Sequence, residues 1–290
     1  MGRVRGLLAI LPVLAWQPAA IAAEAAPQLT DIVYAQVDGH ALALDLHLPA
    51  GVAHPLLVVY LHGGAWRAGS KSEYPQFLVE RGYAVASVEF RSSNDARFPA
   101  DVQDIKAAIR FLRAKAGEYG YRADRIAISG ASSGGHLAAL VGTTNGLAQL
   151  EGNEGEYTQE SSAVQALVSW YGASDLTTIL AQSTQFGVSV REPALRLLLG
   201  GLPDEVPELA KLASPVMQVD AHDPPAILLH GDQDPQMPVN QMLELEAAYH
   251  RAGVSVETVV VDGARHGGEA FYTGEPAERV IAFLRRSIGR

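Results

Sequence analysis

The chain reads as an α/β protein: a mostly parallel sheet flanked by helices, with a leading antiparallel hairpin. Three observations predict this class. Short β-branched or apolar runs recur along most of the 290 residues, and they are mostly continuous, as in strands buried on both faces. Between them lie stretches with apolar residues at helical spacing. Ahead of them, two β-type runs flank Asp38-Gly39, a dipeptide suited to the left-handed conformations of a two-residue hairpin turn.

In chain order, residues 32–37 and 42–48 are the arms of that hairpin. Residues 56–61, 83–88, 125–129, 164–170, 226–230 and 254–261 are the expected buried strands. The clearest helix carries Val102, Ile105, Ile109 and Leu112, whose steps of three, four and three put one apolar stripe on one face. Residues 135–141, 239–250 and 277–288 read as helices on the same pattern. Alternation of strand and helix calls for crossover connections, hence parallel strands with helices on both faces. No internal repeat or linker divides the chain, so one domain over residues 24–290 is expected. Its least regular stretch, 175–223, holds Pro193, Gly200-Gly201, Pro203, Pro207 and Pro215. This insertion is either a lid over a site or a peripheral helical excursion.

Residues 1–23 have the organisation of a secretory signal peptide: Arg3 and Arg5, an apolar stretch over 6–16, then Ala20-Ile21-Ala22-Ala23. The apolar stretch is about half of the ~20 residues a spanning helix needs, and Pro12 interrupts it. A mature protein without a membrane anchor, exported to the periplasm or the medium, is therefore expected.

Composition narrows the function. With 48% hydrophobic and 19% charged residues, the chain is not of the disordered class. Its 32 acidic residues exceed its 22 basic ones, the net charge is −10, and no basic cluster offsets it, so nucleic acid is not an expected partner. The absence of cysteine excludes disulfides, thiolate metal sites and cysteine nucleophiles. Neither H-E-x-x-H nor a glycine-rich phosphate loop occurs, so no metal and no cofactor is expected.

The chemistry concentrates at strand ends. Directly after residues 125–129 comes Gly130-Ala131-Ser132-Ser133-Gly134-Gly135-His136, a G-x-S-x-G pattern that turns into a helix. A sharp strand-to-helix turn needs small flanking residues and presents its serine hydroxyl to a cleft. Ser132 fits best, and Ser133 competes. A serine hydroxyl needs a base within hydrogen-bond reach and a group to orient that base. His266 follows the strand at 254–261 and reaches the same sheet edge, whereas His62, His136 and His230 read as loop or core residues. For the acid, the loop after residues 226–230 offers Asp232 and Asp234. Asp234 lies further out, Asp232 suits a turn-stabilising role, and Asp175 is a third candidate. His62-Gly63-Gly64-Ala65-Trp66 follows the strand at 56–61, and its glycines let backbone N–H groups approach a substrate. With the Ser133 N–H, Gly63 and Gly64 would form an oxyanion hole. Trp66 is expected either in substrate binding, as a cleft wall, or as packing.

These residues resemble the bacterial esterases of the α/β-hydrolase superfamily, near the hormone-sensitive-lipase and feruloyl-esterase-like branches. The likeness rests on 62–66, on 130–138, on Phe98-Pro99-Ala100 with Asp104, on Ser214-Pro215, and on Pro224-Pro225 leading into His230-Gly231-Asp232-Gln233-Asp234. It spans most of residues 40–285. The resemblance implies an α/β-hydrolase fold with an eight-stranded sheet, a Ser132, Asp234 and His266 triad in the chain order of that fold, and an oxyanion hole from Gly63, Gly64 and Ser133. Ala131 stands where an acidic residue often precedes the serine, and the long N-terminal cap is missing, which favours the feruloyl-esterase-like branch. The implied activity is a serine carboxylesterase for short-chain or aromatic acyl esters, including those on carbohydrates. A small serine amidase or peptidase, the acid loop resembling that of prolyl-oligopeptidase-type enzymes, and a catalytically silent binding relative are the alternatives.

Overall fold

The computed structural model describes residues 28–289, so the leader expected at 1–23 lies outside the described residues. β1 (Gln28–Val37) and β2 (His40–His47) form the leading hairpin. It turns through Asp38 and Gly39 at φ 51° and 83°, the left-handed values that such a turn needs. Then come β3 (Leu56–Leu61), α1 (Gln76–Glu80), β4 (Ala84–Val88), α2 (Ala100–Tyr119), β5 (Arg122–Ala131), α3 (Ser133–Gly142) and α4 (Ala148–Glu151). β6 (Ala166–Trp170) precedes an insertion holding α5 (Ile179–Gln182), α6 (Gln185–Leu199) and α7 (Pro207–Leu212). The chain ends with β7 (Ala226–Gly231), α8 (Asn240–Ala252), β8 (Val256–Val261) and α9 (Gly274–Ser287).

One eight-stranded sheet runs in the order β1-β2-β4-β3-β5-β6-β7-β8. β2 pairs antiparallel with β1 and with β4, and the remaining neighbours are parallel. The winding reverses between β3 and β5: the chain leaves β3 for β4 on one side and returns to β5 on the other. The carboxyl ends of β3 and β5 therefore flank the crevice where open α/β sheets bind ligands. This is the α/β-hydrolase fold.

The unbroken apolar run of β3 has a direct cause. Leu57, Val59 and Leu61 join the core on one face with α2 and α3, while Leu56, Val58 and Tyr60 join the core on the other with α9. α2 buries its predicted stripe, Val102, Ile105, Ile109 and Leu112, completely. β8 departs from the expected pattern of strands buried on both faces. It is the sheet edge, with Val260 55% exposed, and nothing pairs beyond it among the described residues. β5 is longer than residues 125–129, because its ladder with β6 continues to Ala131 opposite Trp170.

Insertion 175–223 is more regular than its prolines suggest. α6 passes through Pro193, opens with the Thr184 hydroxyl accepting the Gly187 N–H at 3.0 Å, and closes on Gly200 at φ 82°. Its first turn rests on the loop after β7, where the Thr184 hydroxyl donates to the Pro235 carbonyl at 2.7 Å. No helix among the described residues is long and apolar enough to cross a membrane.

Candidate active site

β5 ends at Ala131 and α3 begins at Ser133, so Ser132 alone makes the turn between them. It sits at φ 56° and ψ −120°, a conformation that side chains other than glycine rarely adopt. Two bonds brace it: its N–H donates to the Trp170 carbonyl at 2.9 Å, and its carbonyl accepts the His136 N–H at 3.0 Å. The flanking glycines are steric necessities. A Cβ on Gly130 would lie 2.2 Å from the Gly134 carbonyl oxygen, and one on Gly134 would lie 2.1 Å from that of Leu61. The turn can thus press the start of α3 against the end of β3, leaving Ser132 9% exposed at the crevice.

The loops after β7 and β8 bring the partners. The Ser132 hydroxyl donates to His266 Nε2 at 2.7 Å, and His266 Nδ1 donates to Asp234 Oδ2 at 2.6 Å. The Asp234 side chain is fully buried, and its Oδ1 accepts the N–H groups of Gln236 and Met237 at 2.8 and 2.9 Å. Burial pushes this carboxyl up, but the hydrogen bonds of His230, His266 and the Met237 N–H outweigh it and hold it well below the ordinary carboxylate range. A carboxylate that can only accept fixes the His266 proton on Nδ1 and leaves Nε2 as the acceptor facing Ser132. The Tyr171 ring closes edge-on over the imidazole at 5.0 Å.

The other candidates have different roles. Asp232 accepts the Gly263 N–H at 2.8 Å and ties the β7 and β8 loops together. Asp175 turns to its own loop, accepting the Thr177 N–H at 2.8 Å. Ser133 is buried in the first turn of α3. His230 lies beneath the acid, donating to the Met237 carbonyl at 2.9 Å. His62 stacks on Phe90 at 4.7 Å.

The His62-Gly63-Gly64 loop lies directly against the serine. A Cβ on Gly63 would come within 3.3 Å of Ser132 Cβ, and Gly64 at φ 124° would drive a Cβ into the Ala68 carbonyl oxygen at 1.9 Å. Neither Gly63 nor Gly64 donates its N–H to a protein acceptor among the described residues. As the first residue of α3, Ser133 also carries an N–H with no acceptor within the helix.

Trp66 corrects the substrate-binding expectation. It is 2% exposed and absent from the cleft wall. Its indole N–H donates to His136 Nδ1 at 3.0 Å, and His136 Nε2 donates to the Ala213 carbonyl at 2.8 Å. Trp66 is therefore packing, linking the glycine loop to α3 and the insertion. Burial, with the nearby Arg191 cation, lowers His136 to about 4, so this imidazole stays neutral.

Above Ser132 opens a cleft of about 990 Å³. Tyr60, Tyr74, Phe77, Tyr171 and Tyr272 form an aromatic wall, Gly63 and Gly64 lie at its floor, and α6 contributes Arg191. The Tyr171 and Tyr272 hydroxyls meet at 2.7 Å. The sequence did not single out the five aromatic residues or Arg191. Tyr171 had the available signal, since it follows β6 as Ser132 follows β5. No group of three or more His, Asp or Glu among the described residues is arranged to hold a metal ion.

Comparison with known proteins agrees with this architecture. The BD-FAE family model matches residues 44–249. Esterase LipQ of Mycobacterium tuberculosis is 33% identical over 278 residues, which cover 91% of this chain and 64% of LipQ. The solved structure of a truncated carbohydrate esterase from gut microbiota superposes with a TM-score of 0.82 at 31% identity, covering 91% of this chain and 97% of that one. Esterase 2 of Thermogutta terrifontis phosphonylated by sarin gives 0.74 at 26% identity, covering 94% and 98%. The chain belongs to the BD-FAE family of α/β-hydrolase esterases.

Proposed function

We propose that the protein is an exported serine carboxylesterase that removes short-chain or aromatic acyl groups from carbohydrate esters through an acyl-enzyme. The observation that carries this reading is the unbroken line from the Ser132 hydroxyl through His266 to Asp234 at the floor of an aromatic cleft. Ser132 Oγ attacks the ester carbonyl while His266 Nε2 takes its proton. Asp234 holds the ring and stabilises the imidazolium. The N–H groups of Gly63, Gly64 and Ser133 receive the negative charge on the former carbonyl oxygen. His266 then gives the proton to the leaving alcohol, and water, activated by the same nitrogen, releases the acid from Ser132.

The carbohydrate part of the reading rests on the gut carbohydrate esterase relative and on the aromatic wall, whose ring faces can pack on a sugar or aryl group. The test compares kcat/KM on p-nitrophenyl acetate, acetylated xylo-oligosaccharides, methyl ferulate and p-nitroacetanilide. Esters turned over and the anilide left intact support it; anilide cleavage at a matching rate replaces it with an amidase. The export part rests on the leader-like residues 1–23. Edman sequencing of protein recovered outside the cytoplasm should begin just after Ala22 or Ala23, and an intact N-terminus retained in the cytosol contradicts it.

A further inference from the structure

Arg191 is buried in the cleft wall without a counter-charge. It projects from α6, lines the same cleft as Ser132 and His266, and is 1% exposed. No carboxylate among the described residues lies within 4.0 Å of it, and its Nε and Nη2 are buried without a hydrogen-bond partner. Arg91 and Lys106, which are similarly buried, are paired: Arg91 makes two side-chain bonds to Asp104 at 2.8 and 2.7 Å, and Lys106 bonds Glu151 at 2.6 Å. The neighbour of Arg191 is instead the Trp66 ring, 5.9 Å from the guanidinium carbon. Burial lowers this guanidinium to about 10 while Asp234 works the other way, so it remains a cation at neutral pH.

Nε and Nη2 share one edge of the planar guanidinium, where their two N–H bonds run parallel and match both oxygens of a carboxylate. A buried cation with that edge unused is unfavourable in the protein alone and is relieved when a ligand supplies the acceptor pair. We propose that Arg191 is a substrate-binding residue that selects esters carrying a carboxylate, on the acyl or the alcohol part. This rests on reading the site as an esterase. With so little of the residue at the surface, the contact forms when the side chain turns on its own torsions from the Trp66 ring into the cleft.

The experiment uses two matched pairs, one for each source of the carboxylate. On the acyl side, p-nitrophenyl hemiglutarate is compared with p-nitrophenyl butyrate; on the alcohol side, 4-acetoxybenzoate is compared with its methyl ester. Wild type should prefer the charged member of at least one pair. Arg191→Gln should reduce that preference about 10- to 100-fold, as expected for charge-assisted bonds, chiefly through the KM of the charged ester. Arg191→Lys should retain part of it. The same preference in wild type and Arg191→Gln for both pairs, or no preference in wild type, overturns the proposal.

Stability separates this from a packing role. Because the cation is unpaired, Arg191→Gln should leave Tm unchanged or raise it; a lower Tm with an equal loss on all four esters assigns Arg191 to packing on Trp66 and overturns the proposal. If wild type cleaves none of the four esters, the esterase reading fails by itself. Calorimetry with glutarate and 4-hydroxybenzoate then decides: binding lost in Arg191→Gln sustains the assignment, and equal or absent binding overturns it.

Discussion

Replacing Asp234 by asparagine tests the orientation of the base with almost no change of shape. Two backbone N–H groups, those of Gln236 and Met237, fix Oδ1 at 2.8 and 2.9 Å. An asparagine keeps its carbonyl oxygen there, since only that atom accepts both, and so turns its NH2 group toward His266 Nδ1, which faces Oδ2 at 2.6 Å in the native protein. A donor at that point selects the tautomer with the proton on Nε2. That tautomer donates to Ser132 and cannot take its proton. The expected loss in kcat is about 10⁴-fold, as when the acid of a serine triad is made an amide, or about 5 kcal/mol of barrier. The assay is steady-state hydrolysis of p-nitrophenyl acetate at pH 8, with circular dichroism to verify folding. Asp232→Asn is the control. An amide oxygen accepts the Gly263 N–H as well as a carboxylate does, so activity should hold. Activity of Asp234→Asn within tenfold of wild type, or an equal fall in Asp232→Asn, would show that Asp234 does not orient His266.

Two further substitutions test buried polar groups away from Ser132, His266 and Asp234. Burial pushes the Asp101 carboxyl up to about 7, opposed by the Val102 N–H and reinforced by Asp104, and its Oδ2 has no partner among the described residues. The folded state therefore holds that proton more tightly than the unfolded chain at ~3.9, and stability rises as pH falls from above 7 towards 4. Asp101→Asn should raise stability by up to about 4 kcal/mol at pH 8 and by little at pH 4; urea unfolding that gives equal effects at both pH values contradicts the account. Trp66→Phe removes the donor facing His136 Nδ1 and should cost about 1–3 kcal/mol of stability, with KM for p-nitrophenyl acetate unchanged. A raised KM at unchanged stability would return Trp66 to substrate contact.

Much of the site was legible because the elbow is a steric device. Gly130 and Gly134 are required by backbone carbonyls 2.2 and 2.1 Å from where a Cβ would stand, so a strained serine turn leaves glycines as its mark. His266 and Asp234 were placed by strand ends, because a parallel sheet collects its βα loops on one edge. Asp232 departs from the turn-stabilising role expected of it: its carboxylate accepts the Gly263 N–H of the next loop, a long-range contact with no local mark in the sequence. Other features left no local mark. The run 256–261 has the composition of a central strand, yet β8 is the edge, since strand order is set by long-range pairing. α6 runs through Pro193, where local propensity predicts a break. Arg191 and the aromatic wall come from separate segments, and only the packed insertion brings the arginine to the cleft that Ser132 lines.

If Ser132 is the nucleophile, a phosphonylating electrophile must trap it covalently. The protein is treated with a fluorophosphonate, and the modified peptide is identified by mass spectrometry in wild type and Ser132→Ala. A single adduct on Ser132 is expected, with none in the variant, and ester turnover is lost in both the trapped protein and the variant. An adduct on Ser133 or elsewhere, or a Ser132→Ala protein that still cleaves p-nitrophenyl acetate at the wild-type rate, would contradict Ser132 as the nucleophile.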